Sequence, residues 1–208
     1  MIEFSQTVED IALSFRTTGQ VFSPSKIDSG TLFMIQSANV CPEDYILDLG
    51  CGYGAVGIYF AKKISPANVV MSDIDPAATQ LARENTSLNL LYGIEIITSD
   101  GFKQLGMTGF THIFVNPPYH TDFSVPKHFI EKGFNRLVLG GRMHMVTMRR
   151  EWYEKKLTSI FGGVRVICQD GYFLFQAQKR QHRYAKKSAE ITSAGWRKSI
   201  SHCQKRSD

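Results

Sequence analysis

No stretch of the 208 residues approaches the roughly 18 consecutive apolar residues of a membrane-spanning helix, so no such span is expected. The start, MIEFSQTVEDIALSF, holds acids where a secretory leader would carry basic residues followed by an apolar core. A soluble, cytoplasmic protein is the expectation. Cysteine is scarce: Cys41, Cys51, Cys168 and Cys203 form no C-x-x-C pair and no Cys/His spacing suited to zinc, and reduced thiols are expected. His112, His120, His128 and His144 show no H-x-x-x-H pattern on one helix, so a metal site is not expected either. Internal repeats are absent, and nothing before Gln178 is low in complexity. With 43% hydrophobic, 12% aromatic and 21% charged residues, the composition also excludes wholesale disorder.

What is present is an uneven charge. Residues 1–141 hold 9 Lys and Arg against 14 Asp and Glu, whereas residues 142–208 hold 15 against 5, so a net charge of +5 hides an acidic body and a basic end. From Lys179 onward nine basic residues face only Glu190 and Asp208, with Tyr184 and Trp196 interleaved. That stretch has the character of a phosphate-binding tail or of a solvated appendage. The length fits one domain, expected over residues 1–178, with a helical cover segment at about 1–40 and a basic tail over 179–208.

Short apolar runs alternate with stretches of helical period, the pattern of βα units on a mostly parallel sheet with helices on both faces. Strands are expected at YILDL (45–49), NVVMSD (68–73), IEIITSD (94–100), THIFVN (111–116) and RMHMVTM (142–148). Helices are expected at about 55–64, from Pro76 to about Asn89, from Val125 to Leu139 with a stop at Gly140-Gly141, and around 152–161. VRVICQ and GYFLFQAQ flank Asp170-Gly171, a dipeptide favoured in tight hairpin turns, so an antiparallel hairpin should close the sheet.

The chemistry concentrates where these strands end. Asp48-Leu49-Gly50-Cys51-Gly52-Tyr53-Gly54 lies at the first strand-to-helix turn, where glycines let a ligand approach the backbone. Asp73 follows Gly50 by 23 residues, near the offset at which an acid reaches ribose hydroxyls. Asp75, just before Pro76, fits a helix N-cap instead. Gly52, Gly54 and Gly57 partly mimic the nicotinamide fingerprint, but in the wrong register. Asn116-Pro117-Pro118-Tyr119 is the most specific element. Two prolines fix the backbone, so the Asn116 side-chain oxygen and the Pro117 carbonyl can both accept from one NH2 group, and Tyr119 offers a face on which a base or amide can stack. His120, Lys127 and Arg149 lie close enough in sequence to this edge to meet a substrate or its phosphates, or to serve as ordinary surface residues.

Together DLGCGYG, the acid ending the second of these strands, SDGF and NPPY resemble the class I S-adenosylmethionine-dependent methyltransferases that modify exocyclic or amide nitrogens. GQVFSPSKIDSGTLFMIQ, GGRMHMV and GYFLFQAQK look most like the small-domain RsmC-type branch, the ribosomal RNA guanine-N2 enzymes, over roughly residues 18–180. The resemblance implies a Rossmann-like seven-stranded, mostly parallel sheet with the antiparallel hairpin at its end. It implies that Gly50 and Gly52 face the methionine part of S-adenosylmethionine with Asp48 beneath it, that Tyr53 also binds the cofactor, and that Asp73 lies at its ribose, Ile74 and Phe102 near adenine, and Asp100 at the exocyclic amine. Asn116, Pro117 and Tyr119 would be catalytic, with Asn116 also against the cofactor. Phe22, Thr31, Pro118 and Tyr119 would meet the substrate; position at this edge adds His120 and Lys127, and charge adds Arg180 and Arg183. Tyr after NPP is shared with adenine-N6 enzymes and with HemK-type protein glutamine methyltransferases, so those acceptors remain open. A non-enzymatic RNA-binding assembly factor built on the same scaffold is a further alternative. RNA, ribosomal in particular, is the partner expected.

Overall fold

The computed structural model describes residues 1–18, 25–117 and 122–184. The chain begins with β1 (Ile2–Val8), β2 (Ile11–Thr17), α1 (Ser29–Gln36), β3 (Ile46–Leu49), α2 (Ala55–Ala61), β4 (Val69–Asp73) and α3 (Pro76–Leu88). It continues with β5 (Glu95–Thr98), β6 (Phe110–Val115), α4 (Ser124–Arg136), β7 (Leu137–Thr147), α5 (Glu151–Phe161), β8 (Arg165–Gln169) and β9 (Tyr172–Gln178). Seven strands form one sheet in the order β5-β4-β3-β6-β7-β9-β8. The first five are parallel, and β9 runs antiparallel to both β7 and β8. The expected Rossmann-like α/β architecture is the one observed.

The β3 and β6 runs and residues 141–147 of β7 are buried on both faces, and alternate side chains feed two cores. Ile46, Phe114 and Val146 point to the side of α1, α2 and α3, whereas Leu47, Ile113 and Met145 point to α4 and α5. The β8–β9 turn forms as the dipeptide predicts: Asp170 and Gly171 both take positive φ, 50° and 82°, the pair of values a two-residue hairpin of this hand requires. Asp75 caps α3 by accepting from the Ala77 N–H at 2.9 Å, with Pro76 in the first turn.

Two expectations are corrected. The start of the chain is not helical: β1 and β2 form an antiparallel hairpin of their own. Ile11, Leu13 and Phe15 recur with period two, and that alternation buries Leu13 and Phe15 against α2 and α3. The helix expected to end at Gly140 stops at Arg136, because Val138 and Leu139 already belong to β7. Gly140, with φ 86°, bends that strand instead of capping the helix, and its N–H donates to the Lys179 carbonyl at 2.8 Å. Cys51 and Cys168 are free thiols. No described helix is long and apolar enough to cross a membrane.

Lys179, grouped with the basic tail by its charge, is buried: Nζ donates to the Leu137 carbonyl at 2.7 Å and lies over the Phe134 ring. Tyr184 also packs edge-on against Phe134 and donates to the Glu131 carbonyl. The chain therefore stays on the body through residue 184, and only residues 185–208 of the expected tail lie outside the described part.

Candidate active site

The connections from β3 to β4 and β5 run one way along the sheet, and β6 and β7 lie on the other side of β3. The crevice at the carboxyl ends of β3 and β6 is thus the topological switch point, where open α/β sheets bind ligands. Asp73 ends β4, and Gly50, Asp100 and Asn116 follow the carboxyl ends of β3, β5 and β6 in the same sheet.

The glycine turn after β3 is tied down from below. Gly50 N–H and Cys51 N–H both donate to the Ser72 carbonyl, at 2.8 and 2.9 Å. Gly52 N–H donates to Asp73 Oδ2 at 2.8 Å, while Asp73 Oδ1 accepts from Asp75 N–H at 3.0 Å. Gly50 and Gly52 take φ of 77° and 55°, and a Cβ on either would meet nothing within 4 Å, so these two border open space. Gly57 differs: a Cβ there would lie 2.4 Å from Met71 Sδ, so its smallness seats α2 on β4. That separation explains why the nicotinamide-like register of Gly52, Gly54 and Gly57 misleads.

Asp48 lies fully buried beneath this turn, and its Oδ2 accepts from Gly57 N–H at 2.9 Å. Burial pushes its pKa up to about 7; the Gly57 bond opposes the rise and the Asp73 charge adds to it. The Tyr53 ring is buried against the N-terminal hairpin, edge-on to Phe15 at 5.3 Å and Phe4 at 6.2 Å. Burial, and then the charge of Asp28, raise its hydroxyl pKa. Ile74 is 64% exposed at the end of β4, a large apolar side chain left facing solvent at the crevice edge. Phe102 is buried in the α4-side core, with the Arg136 guanidinium 5.9 Å from its ring. Asp100 is exposed, and its hydrogen bond to Lys103 at 2.5 Å holds its carboxyl below the usual range.

Asn116 stands in the most ordered polar arrangement of the crevice. Its Nδ2 donates to Asp28 Oδ2 at 3.1 Å and to Thr31 Oγ1 at 3.0 Å. Asp28 caps α1 through the Thr31 N–H at 2.9 Å, and its other oxygen accepts from the Tyr172 hydroxyl at 3.0 Å. Both amide hydrogens are thereby used, and the opposite atom, Oδ1, is buried with no hydrogen-bond partner among the described residues. A buried acceptor without a donor is costly and points to a ligand that supplies one.

The structure thus gathers Asp48, Gly50, Gly52, Tyr53, Asp73, Thr31 and Asn116 around one crevice, with buried Pro117 next in the chain. Phe22, Pro118, Tyr119 and His120 lie outside the described residues. Lys127 is exposed on the first turn of α4; Arg180 and Arg183 are exposed beyond β9. Among the described residues no group of three His, Cys, Asp or Glu could hold a metal ion. Sequence reasoning missed Asp28 and Tyr172. An acid three residues before Thr31 at a helix start was a visible capping signal, but only the tertiary fold brings it to Asn116; for Tyr172, beside a turn, there was no signal at all.

This geometry has relatives. A solved 16S rRNA N2 methyltransferase (RsmC) of T. thermophilus, in complex with AdoMet and guanosine, superposes with a TM-score of 0.78 at 26% identity, over 86% of this chain and 50% of that one. Ribosomal RNA small subunit methyltransferase C of Pseudomonas putida is 28% identical over 181 residues, 85% of this chain and 54% of its own length. The chain thus spans about half of such relatives. Protein YbxB of Bacillus subtilis is 29% identical over 80% of this chain and 86% of its own. The family model for the methyltransferase small domain matches residues 12–176, most of the chain, and the protein belongs to that methyltransferase family.

Proposed function

We propose that the chain transfers a methyl group from S-adenosylmethionine to an exocyclic amine of a nucleobase in RNA, with guanine N2 of ribosomal RNA as the acceptor, in the cytoplasm. The observation that carries this reading is the buried, unpartnered Asn116 Oδ1 beside an open glycine turn. The similarity to RsmC proteins supports the choice of guanine N2.

The residues present fit the cofactor. Open space over Gly50 and Gly52 admits a ligand against the backbone, and Asp73, only partly buried, has lone pairs to spare beyond its two backbone bonds. Buried Asp48 would lie under the methionine end; Ile74 and Phe102 would flank the adenine, with Asp100 at its amine. Bound S-adenosylmethionine supplies a methyl group already activated by the positive sulfur, so the protein needs alignment and desolvation more than acid or base chemistry. Asn116 Oδ1 and the Pro117 carbonyl accept the two hydrogens of the amine and aim its lone pair; Tyr119 stacks on the base. A paired base must first leave the helix, at a cost of a few kcal/mol that stacking offsets in part. The nitrogen sheds its extra proton after transfer, so no general base is assigned.

Labelled methyl transfer to total RNA and to total protein tests the reading: label in RNA is expected, and label confined to protein would replace it with a glutamine-type acceptor. Asp73→Ala should weaken cofactor binding by about 1 to 3 kcal/mol, roughly fivefold to 160-fold in affinity by calorimetry, because it also strands the Gly52 N–H. Unchanged affinity would remove Asp73 from the site. Truncation after Tyr184 removes Lys186, Lys187, Arg197, Lys198, Lys205 and Arg206 and should leave cofactor affinity intact. RNA affinity should fall, and the slope of log K against log salt should flatten by about 0.7 to 0.9 per lost phosphate contact. An identical slope would move RNA recognition to the body, with Lys127, Arg180 and Arg183 as its cations.

A further inference from the structure

We infer that Asp28 is a positioning residue of this site: with Tyr172 and the start of α1, it fixes the Asn116 amide so that an acceptor oxygen, and not an NH2 group, faces the substrate. The inference rests on the amine-transfer reading and adds the device that makes the site select a hydrogen-bond donor. An asparagine amide has two edges of nearly equal shape, related by a half-turn, and its neighbours decide which edge points where. Here one edge meets the Asp28 carboxylate, which only accepts, together with the Thr31 hydroxyl. Turning the amide over would set Oδ1 against Asp28 Oδ2 at the same 3.1 Å, oxygen on oxygen, and would offer NH2 to the substrate amine, donor on donor. The observed orientation satisfies both hydrogens and leaves Oδ1 as the free capacity.

Asp28 is itself held from two sides. Oδ2 accepts from Thr31 N–H at 2.9 Å, and Oδ1 accepts from the Tyr172 hydroxyl at 3.0 Å. The Tyr172 ring lies so close over Gly30 that a Cβ there would sit 2.6 Å from it, so the contact between α1 and the β8–β9 turn depends on that glycine. The antiparallel end of the sheet thereby reaches the catalytic crevice through one hydroxyl and one carboxylate.

The carboxylate has a property an amide lacks: both its oxygens accept, so its orientation needs no further instruction. Asp28→Ala should lower kcat at least tenfold, leaving cofactor affinity within about threefold. Asp28→Asn should stay within about threefold of wild type in kcat, since its oxygen can take the Oδ2 position while its NH2 donates to the Tyr172 oxygen. Tyr172→Phe alone should have a similarly small effect. Combined with Asp28→Asn it should add no more than its own small effect, because the Thr31 N–H still holds the new amide oxygen in the Oδ2 place, where Asn116 donates to it. A role limited to capping α1 would instead leave the Asn116 side-chain amide protons as they are in wild type when Asp28 becomes alanine. Proton exchange of the Asn116 side-chain amide, followed by NMR in 15N-labelled protein without substrate, reads the same device independently of any activity. Protected signals in wild type and Asp28→Asn, lost in Asp28→Ala, support it even if RNA proves not to be the acceptor. Fast exchange in folded wild type, Asn116 amide protons equally protected in Asp28→Ala, or an Asp28→Ala variant as active as wild type would overturn it.

Discussion

Asn116→Ala should cut methyl transfer a hundredfold or more while leaving cofactor affinity within a few fold. The substitution deletes Oδ1, the buried acceptor, at the carboxyl end of β6. Loss of one oriented polar contact in a transition state is worth about 3 kcal/mol, which is roughly that factor in rate. It also strands Asp28 and Thr31, so some loss of thermal stability should accompany it. The cofactor contacts assigned to Gly50, Gly52 and Asp73 are untouched, so calorimetric binding separates the two effects. Turnover retained in the alanine variant would take Asn116 out of the chemistry.

The second large effect concerns stability and pH. Asp48 is the most costly buried charge of the crevice, and burial raises its pKa from 3.8 to about 7. The folded protein therefore holds a proton there that the unfolded chain releases near pH 4. The stability this provides is full below that pH and is lost as pH rises through about 7, by up to about 4 kcal/mol. Asp48→Asn keeps an oxygen for the Gly57 N–H but cannot ionise. Unfolding free energies of the cofactor-free proteins should thus diverge between pH 4 and 8, with the asparagine variant gaining steadily on wild type. His144 works in the opposite sense: burial, and then the His112 and Arg142 charges, hold its pKa well below 6.5, so its contribution is lost as pH falls below that value. It is common to both proteins and cancels in the difference. Parallel stability curves would show that Asp48 does not carry the burden assigned to it.

Much of this was legible in the sequence because the signals were local. Apolar runs ending in turn residues located all seven strands of the main sheet, and Asp170-Gly171 marked the hairpin that closes it. The glycine turn and Asp73 were legible because spacing along a βα unit fixes where those residues emerge. The N-terminal hairpin was missed, although Ile11, Leu13 and Phe15 alternate with the period of a strand, because a helical cover was expected over that stretch. Gly140 was read as a helix stop, since a glycine after an apolar run looks the same whether it caps a helix or bends a strand. The link from Asp28 to Asn116 spans 88 residues, and the link from Tyr172 to Asp28 spans 144. Contacts of that range follow from packing α1 against β7 and β9, and no local pattern encodes them.

The central claim is most directly tested by incubating the protein and isotopically labelled S-adenosylmethionine with ribosomal RNA, as free RNA and in ribosomal subunits, then digesting the RNA to nucleosides and identifying the labelled one by mass spectrometry. The account predicts labelled N2-methylguanosine with wild-type protein and at least a hundredfold less with Asn116→Ala. Label in another nucleoside, or no label in RNA from a protein that binds the cofactor, would contradict it.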